Sequence, residues 1–361
     1  MNSPFLFTTC QLGAEPALKS EIAREHPEFR FAFSRPGFLT FKNVSGFVAP
    51  DFQLNSVFAR TYGVSIGTVN AAEAEGSAVS EILKLAAPLM TAKTLRLHVW
   101  ERDQFSVGEE PPKFHKGARA RVLEKELRAG ESQWLSGTRA ESGDWVLDVI
   151  VVEDQKFWVG FHEASFAHSP FPGSDPEIVV PAEAPSRAYL KLEQGLAWSG
   201  CPMTSGDLAV EIGSAPGGAS FALLKRGVSV IGIDPGMMAP QVLSFRESPR
   251  FSHLCKSVVR IEKDDLPQGV KWLLLDMNTE PDVSLAALER IFPMIQESLM
   301  GMLLTIKLND WDFAREIPAF LERIRSLGCP RIRATQLPGN KQEIFVYALT
   351  RRGQTLGPKR R

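Results

Sequence analysis

A short strand-like run, Asp207 to Gly213 (DLAVEIG), leads directly into Ser214, Ala215, Pro216, Gly217 and Gly218 and then into a helix-length apolar segment. Small residues at such a strand-to-helix turn let the chain reverse sharply and let a ligand approach bare backbone. The next strand-like run, SVIGIDPG, carries Asp234, 21 positions after Gly213. An acid at that place accepts hydrogen bonds from ribose hydroxyls in nucleotide-binding α/β folds. A tight turn without a ligand would use the same glycines, so Asp234 carries more of the reading than the glycine spacing does. Together they point to an adenosine-containing cofactor. A dinucleotide site would show G-x-G-x-x-G, whereas this turn reads E-I-G-S-A-P-G-G.

The rhythm around that turn defines the fold class of the second half. DLAVEIG, VSVIGID, KWLLLDM, GMLLTIK and EIFVYALT are short apolar runs separated by helix-length segments such as GGASFALLKRG and SLAALERIFPMIQESLM. Strands alternating with helices imply crossover connections and a mostly parallel, doubly wound α/β sheet. Residues 170–185 hold five prolines, so this stretch should run extended and irregular and mark the main domain boundary. Upstream, FLFTT and FRFAFSRPGFLTFK read as strands around a helical AEPALKSEIAREH. VSEILKLAAPLM reads as a helix leading into the strand TLRLHVW, and VLDVIVV and KFWVGFH read as a hairpin. The front half is thus expected to be small α+β layers, and its regularly spaced phenylalanines to be core.

With 361 residues, 44% of them hydrophobic and 23% charged, the chain has material for two or three cores and is not disordered or fibrous. Forty-one basic against 42 acidic residues leave a net charge of -1, so a nucleic-acid partner would have to be held by local basic patches. The four cysteines are widely spaced, without a CxxC pair, and the histidines are scattered, so no metal site is expected. Neither a signal peptide nor an apolar run of membrane-spanning length is legible. A cytoplasmic protein is the expectation.

At the cofactor turn the chain resembles the class I S-adenosylmethionine methyltransferases, and GSAPGG is similar to the first motif of the FtsJ/RrmJ-type RNA ribose 2′-O-methyltransferases. SRAYLKLEQ is similar to that family's upstream S-R-x-x-x-K-L motif and supplies Lys191. Asp276 ends KWLLLDM, Lys307 ends GMLLTIK and Glu343 opens the last strand. In order and in strand-end position the four match the family's Lys-Asp-Lys-Glu tetrad. PAEAPSRAYLKLE and WLLLDMN sharpen the resemblance to the RlmM type, the large-subunit ribosomal RNA cytidine 2′-O-methyltransferases, over about residues 181–349. The glutamate strand departs from that pattern by opening from a Gly339-Asn340 turn.

The resemblance implies S-adenosyl-L-methionine as cofactor and a ribose in 23S ribosomal RNA as substrate, with a cytidine as the expected target. It also implies a layout of a ferredoxin-like module (1–75), a THUMP-like RNA-binding module (76–169), the Pro-rich linker, a methyltransferase domain (186–350) and a basic tail (351–361). Glu211 would lie near the methionine end of the cofactor, beside the turn Gly213 to Gly218, and Asp234 near its ribose. Lys307 would be the general base. A lysine serves so only if its pKa falls well below about 10.4, which burial and a neighbouring cation can produce, and Lys191 is the expected neighbour. Asp276 would offset the two charges, and Glu343 would fix Lys191 or the ribose.

Between residues 113 and 128, Lys113, Lys116, Arg119 and Arg121 lead a basic stretch able to meet RNA phosphates, although a solvated helix face paired with Glu124 and Glu126 explains it almost as well. No DNA or membrane partner is expected, and the oligomeric state is left open. Rival readings are an FtsJ-like methyltransferase for another RNA, a catalytically silent RNA-binding or assembly factor, and, more weakly, an NAD-dependent oxidoreductase.

Overall fold

The computed structural model describes residues 3–73, 77–103, 117–130, 134–247 and 250–355. Two compact units, Met1–Glu177 and Ile178–Arg361, divide the chain inside the proline-rich stretch.

The first unit contains strands β1 (Phe5–Thr9), β2 (Phe29–Arg35), β3 (Phe38–Asn43), β4 (Thr61–Asn70), β5 (Leu95–Glu101), β6 (Trp145–Glu153) and β7 (Lys156–Glu163). They form one sheet in the order β2-β3-β1-β4-β7-β6-β5. The unit also carries helices α1 (Glu15–Glu25), α2 (Ala78–Met90) and α3 (Ala118–Gly130). The two front modules expected from sequence share this sheet, because β4 pairs with β7 through the register Val64↔Phe161. β4 escapes a reading by periodicity since Gly63 and Gly67 interrupt it. Gly63 has a packing reason: a Cβ there would lie 2.8 Å from the buried Phe7 ring, and Gly160 on β7 is pressed by the same ring. Phe7, Phe29, Phe38 and Phe41 are core, while Phe5 and Phe31 are 37% and 50% exposed.

The second unit carries α4 (Ala188–Ser199), β8 (Leu208–Ile212), α5 (Gly218–Lys225), β9 (Ser229–Ile233), α6 (Pro240–Leu243), β10 (Phe251–Leu254), β11 (Trp272–Asp276) and α7 (Pro281–Ile295). β12 (Gly301–Lys307), α8 (Ile317–Ser326), β13 (Arg331–Thr335), β14 (Glu343–Leu349) and α9 (Arg351–Gln354) follow. The sheet order is β10-β9-β8-β11-β12-β14-β13. β10 to β12 run parallel, and β14 inserts antiparallel between β12 and β13. This is the doubly wound α/β sheet that the alternation of strands and helices predicts. Two outer strands were not legible in sequence. β10 is only four residues long, and β13 reads RIRAT, whose arginines break an apolar pattern; Arg333 lies over the Trp198 ring at 4.2 Å.

No helix among the described residues is long and apolar enough to cross a membrane.

Candidate active site

β8 and β11 stop side by side, with Leu275 paired to Ile212. Beyond that pair the chain turns at Gly213, whose φ of 79° is strained for residues bearing a Cβ. A Cβ there would also stand 2.6 Å from the Asp276 carbonyl oxygen. Gly217, with φ 111°, ends the turn and caps α5. The backbone from Gly213 to Ala215 therefore opens onto a cleft of about 530 Å³ at the carboxyl ends of the parallel strands.

The cleft wall also carries Lys191, Glu211, Asp276, Lys307 and Glu343. Lys307 ends β12 and Glu343 opens the antiparallel β14, so the two are direct cross-strand partners on one face. Lys191 reaches the same point from α4. The Lys191 ammonium donates to Asp276 Oδ2 at 2.5 Å and lies 3.4 Å from Glu343 Oε1. Lys307 donates to Glu343 Oε2 and lies 3.5 Å from Asp276 Oδ1. The four side chains thus close a ring of alternating charge, with Glu343 only 5% exposed at its side chain.

This ring corrects one expectation. Burial pulls the Lys307 ammonium towards deprotonation, but the charges of Glu343 and Asp276 outweigh it, and the Lys307 pKa lies above its ordinary value. Lys191 does not supply the depression expected of it: each carboxylate contacts both cations, and their charges offset the repulsion. Glu343 shows the converse: burial disfavours its charge, yet Lys191, Lys307 and the Asn340 amide hold its carboxyl below the usual range.

Glu211 behaves differently. Its fully buried carboxyl is pushed up to about 8, by burial first and then by the charges of Asp276 and Asp234, against the Ser220 hydroxyl that donates to it. It is therefore mostly a neutral acid at pH 7.

The remaining expected residues do not meet in the cleft. Pro216, Gly217 and Gly218 belong to the turn and the start of α5 but do not line the cleft. Asp234, just past β9, is not on the wall either; its carboxylate accepts the backbone N–H groups of Ala215 at 3.1 Å and Gly236 at 2.6 Å, tying the turn to the neighbouring strand. On α3, Arg119 and Arg121 are exposed. Arg119 lies 5.6 Å from the Phe157 ring centroid, and Arg121 pairs with Glu177 at 3.3 Å. Lys113 and Lys116 lie outside the described residues.

The sequence reading missed Arg187, Asn278, Asn309 and Lys341, all on the cleft wall. Asn278 and Asn309 each stand two residues beyond a tetrad member, in the loops leaving the carboxyl ends of β11 and β12, where ligand-facing residues are expected in an open α/β sheet. That offset was the available signal.

No protein-family model matches the chain. Curated relatives do. Ribosomal RNA large subunit methyltransferase M of Proteus mirabilis (strain HI4320) is 29% identical over 214 residues, 56% of this chain and 56% of the relative. The protein of that name from Chromohalobacter salexigens is 30% identical over 212 residues, 53% of this chain and 56% of the relative. The resemblance is thus to ribosomal RNA large subunit methyltransferase M. The chain spans a little over half the length of these relatives. Among solved structures, TrmN from Thermus thermophilus is 13% identical, with TM-score 0.35, covering 96% of this chain and 99% of that one. A TehB-like SAM-dependent methyltransferase from Corynebacterium glutamicum is 13% identical, with TM-score 0.32, covering 45% and 88%. Among the described residues, no group of three or more His, Cys, Asp or Glu side chains could hold a metal ion.

Proposed function

We propose that this protein is a cytoplasmic S-adenosylmethionine-dependent methyltransferase of 23S ribosomal RNA that modifies a ribose 2′-hydroxyl, with a cytidine as the expected target. The observation that carries the proposal is the closed ring of Lys191, Asp276, Lys307 and Glu343 at the strand ends, beside a backbone turn held open by Gly213. The similarity to relatives named for ribosomal RNA methylation supports the substrate class.

The cleft fits such a cofactor. Its volume lies within the roughly 300–1,000 Å³ of small-molecule sites. The exposed backbone from Gly213 to Ala215 suits close approach of a nucleoside, and Glu211, carrying its proton, can donate to an acceptor on the ligand while adding no charge next to Asp276. Bound S-adenosylmethionine supplies an electrophilic sulfonium methyl group.

A ribose hydroxyl attacks such a carbon only as its proton is removed. Lys307 is the acceptor in this reading, with Lys191 beside it and Asp276 bridging the two. Because Glu343 and Asp276 favour the protonated Lys307, that amine must first release its proton to solvent water, and only its neutral fraction is competent. Glu343 keeps the amine in place.

Mapping of ribose methylation at nucleotide resolution in total RNA, with and without the protein, tests the proposal. One ribosomal position should lose its mark. An unchanged map, together with no transfer of labelled methyl to ribosomal RNA, would refute it.

A further inference from the structure

The Gly339-Asn340 turn that precedes β14 has work in the fold. Asn340 is 4% exposed. Its side-chain oxygen accepts the backbone N–H of Leu337 at 2.7 Å, and its amide nitrogen donates to Glu343 Oε1 at 3.2 Å. The residue before it, Gly339, is gripped by α4: its N–H donates to Gln194 Oε1 at 2.7 Å, and its carbonyl accepts from Arg187 Nη2 at 3.1 Å. A Cβ on Gly339 would stand 2.6 Å from Gln194 Oε1, so a side chain there would displace the Gln194 amide that accepts the Gly339 N–H.

We propose that Asn340 is a positioning residue for Glu343, fixing Oε1 of the carboxylate so that Oε2 is left for Lys307. Through Gly339 its turn is tied to α4, the helix that carries Lys191, so both sides of the charge ring share one support. The proposal rests on the reading of Lys307 as proton acceptor. The charged groups that face Glu343 are Lys191 from α4 and Lys307 from β12, with Asp276 from β11 across the ring; the Asn340 amide is the neutral fourth neighbour. Without it, Oε1 keeps only the longer contact with Lys191, and the carboxylate is free to turn.

Asn340→Asp separates positioning from folding. The aspartate retains an acceptor for the Leu337 N–H but has no donor for Glu343 and places a like charge beside it. In the full-length protein, carbon-13 NMR titration of the Glu343 carboxyl should show its ionisation moved to higher pH than in the wild type. In methyl transfer, kcat should fall roughly tenfold or more near neutral pH, while KM for S-adenosylmethionine stays within about twofold. Asn340→Ser adds no charge and is too short to reach the carboxylate, so it should move the Glu343 titration in the same direction should the aspartate variant fail to fold. A Glu343 titration identical to wild type in a folded variant would overturn the proposal. Wild-type protein that transfers no methyl to RNA would overturn the function above and leave the titration to decide the role of Asn340.

Discussion

Glu211 and Lys307 sit in one cleft and carry opposite pKa problems. Burial and the like charges of Asp276 and Asp234 outweigh the Ser220 hydrogen bond at Glu211, so its folded-state pKa lies near 8 against about 4.5 for an unperturbed glutamate. A raised acid costs stability as pH climbs through the unfolded value, and the cost is complete once the folded value is passed. At pH 7 it amounts to about 3 kcal/mol as an upper bound. Glu211→Gln should match wild type in denaturant melts near pH 4.5 and exceed it progressively towards pH 8; parallel curves would show that Glu211 is ionised in the folded protein. Lys307 sits in the opposite situation, since its carboxylate partners favour its charged form. If the neutral amine is the acceptor, kcat should rise with pH through neutrality into the alkaline range, and a plateau reached at or below pH 7 would contradict that role. Lys307→Ala should lose transfer by roughly 10² to 10⁴ with S-adenosylmethionine affinity kept, and Lys307→Arg should not restore it, because a guanidinium does not give up its proton.

At the scale of elements, the turn between β8 and α5 is where backbone and side chains become a site. Its glycines permit the geometry, but Asp234 holds it from the next strand through the Ala215 and Gly236 N–H groups. The carboxylate has a second proposed task, accepting from the cofactor ribose. Asp234→Ala should weaken S-adenosylmethionine binding by roughly 1.5–3 kcal/mol in titration calorimetry, the range for hydrogen bonds to a charged group. Unchanged affinity would remove Asp234 from the cofactor site and leave it as a brace for the turn. The pairing of β12 with β14 has a comparable effect: antiparallel register alone brings Lys307 and Glu343 face to face, although 36 residues separate them.

For the whole molecule, the sheet, the turn and the charge ring are all contained in Ile178–Arg361. A fragment beginning at Ile178 should therefore unfold cooperatively and bind S-adenosylmethionine as the full chain does. It should lose most transfer to RNA if the first unit presents the substrate, since a ribose hydroxyl carries too little identity to be chosen alone. A fragment that methylates ribosomal RNA as well as the full chain does would assign the first unit another task.

The local features were legible because each is written in neighbouring residues. The turn at Gly213, the strand-end positions of Asp276 and Lys307 and the start of β14 at Glu343 all follow from short-range backbone and burial rules. β4, β10 and β13 were not, because glycines under an aromatic ring, extreme shortness and edge arginines each hide the alternation that marks a strand. The sign of the Lys307 shift was beyond the sequence for a different reason. Charge interactions depend on distance and burial, and Lys191, Asp276, Lys307 and Glu343 come within a few ångströms only when α4, β11, β12 and β14 are packed. Which residues are present was settled along the chain; whether each one keeps its proton was decided by the fold that brought them together.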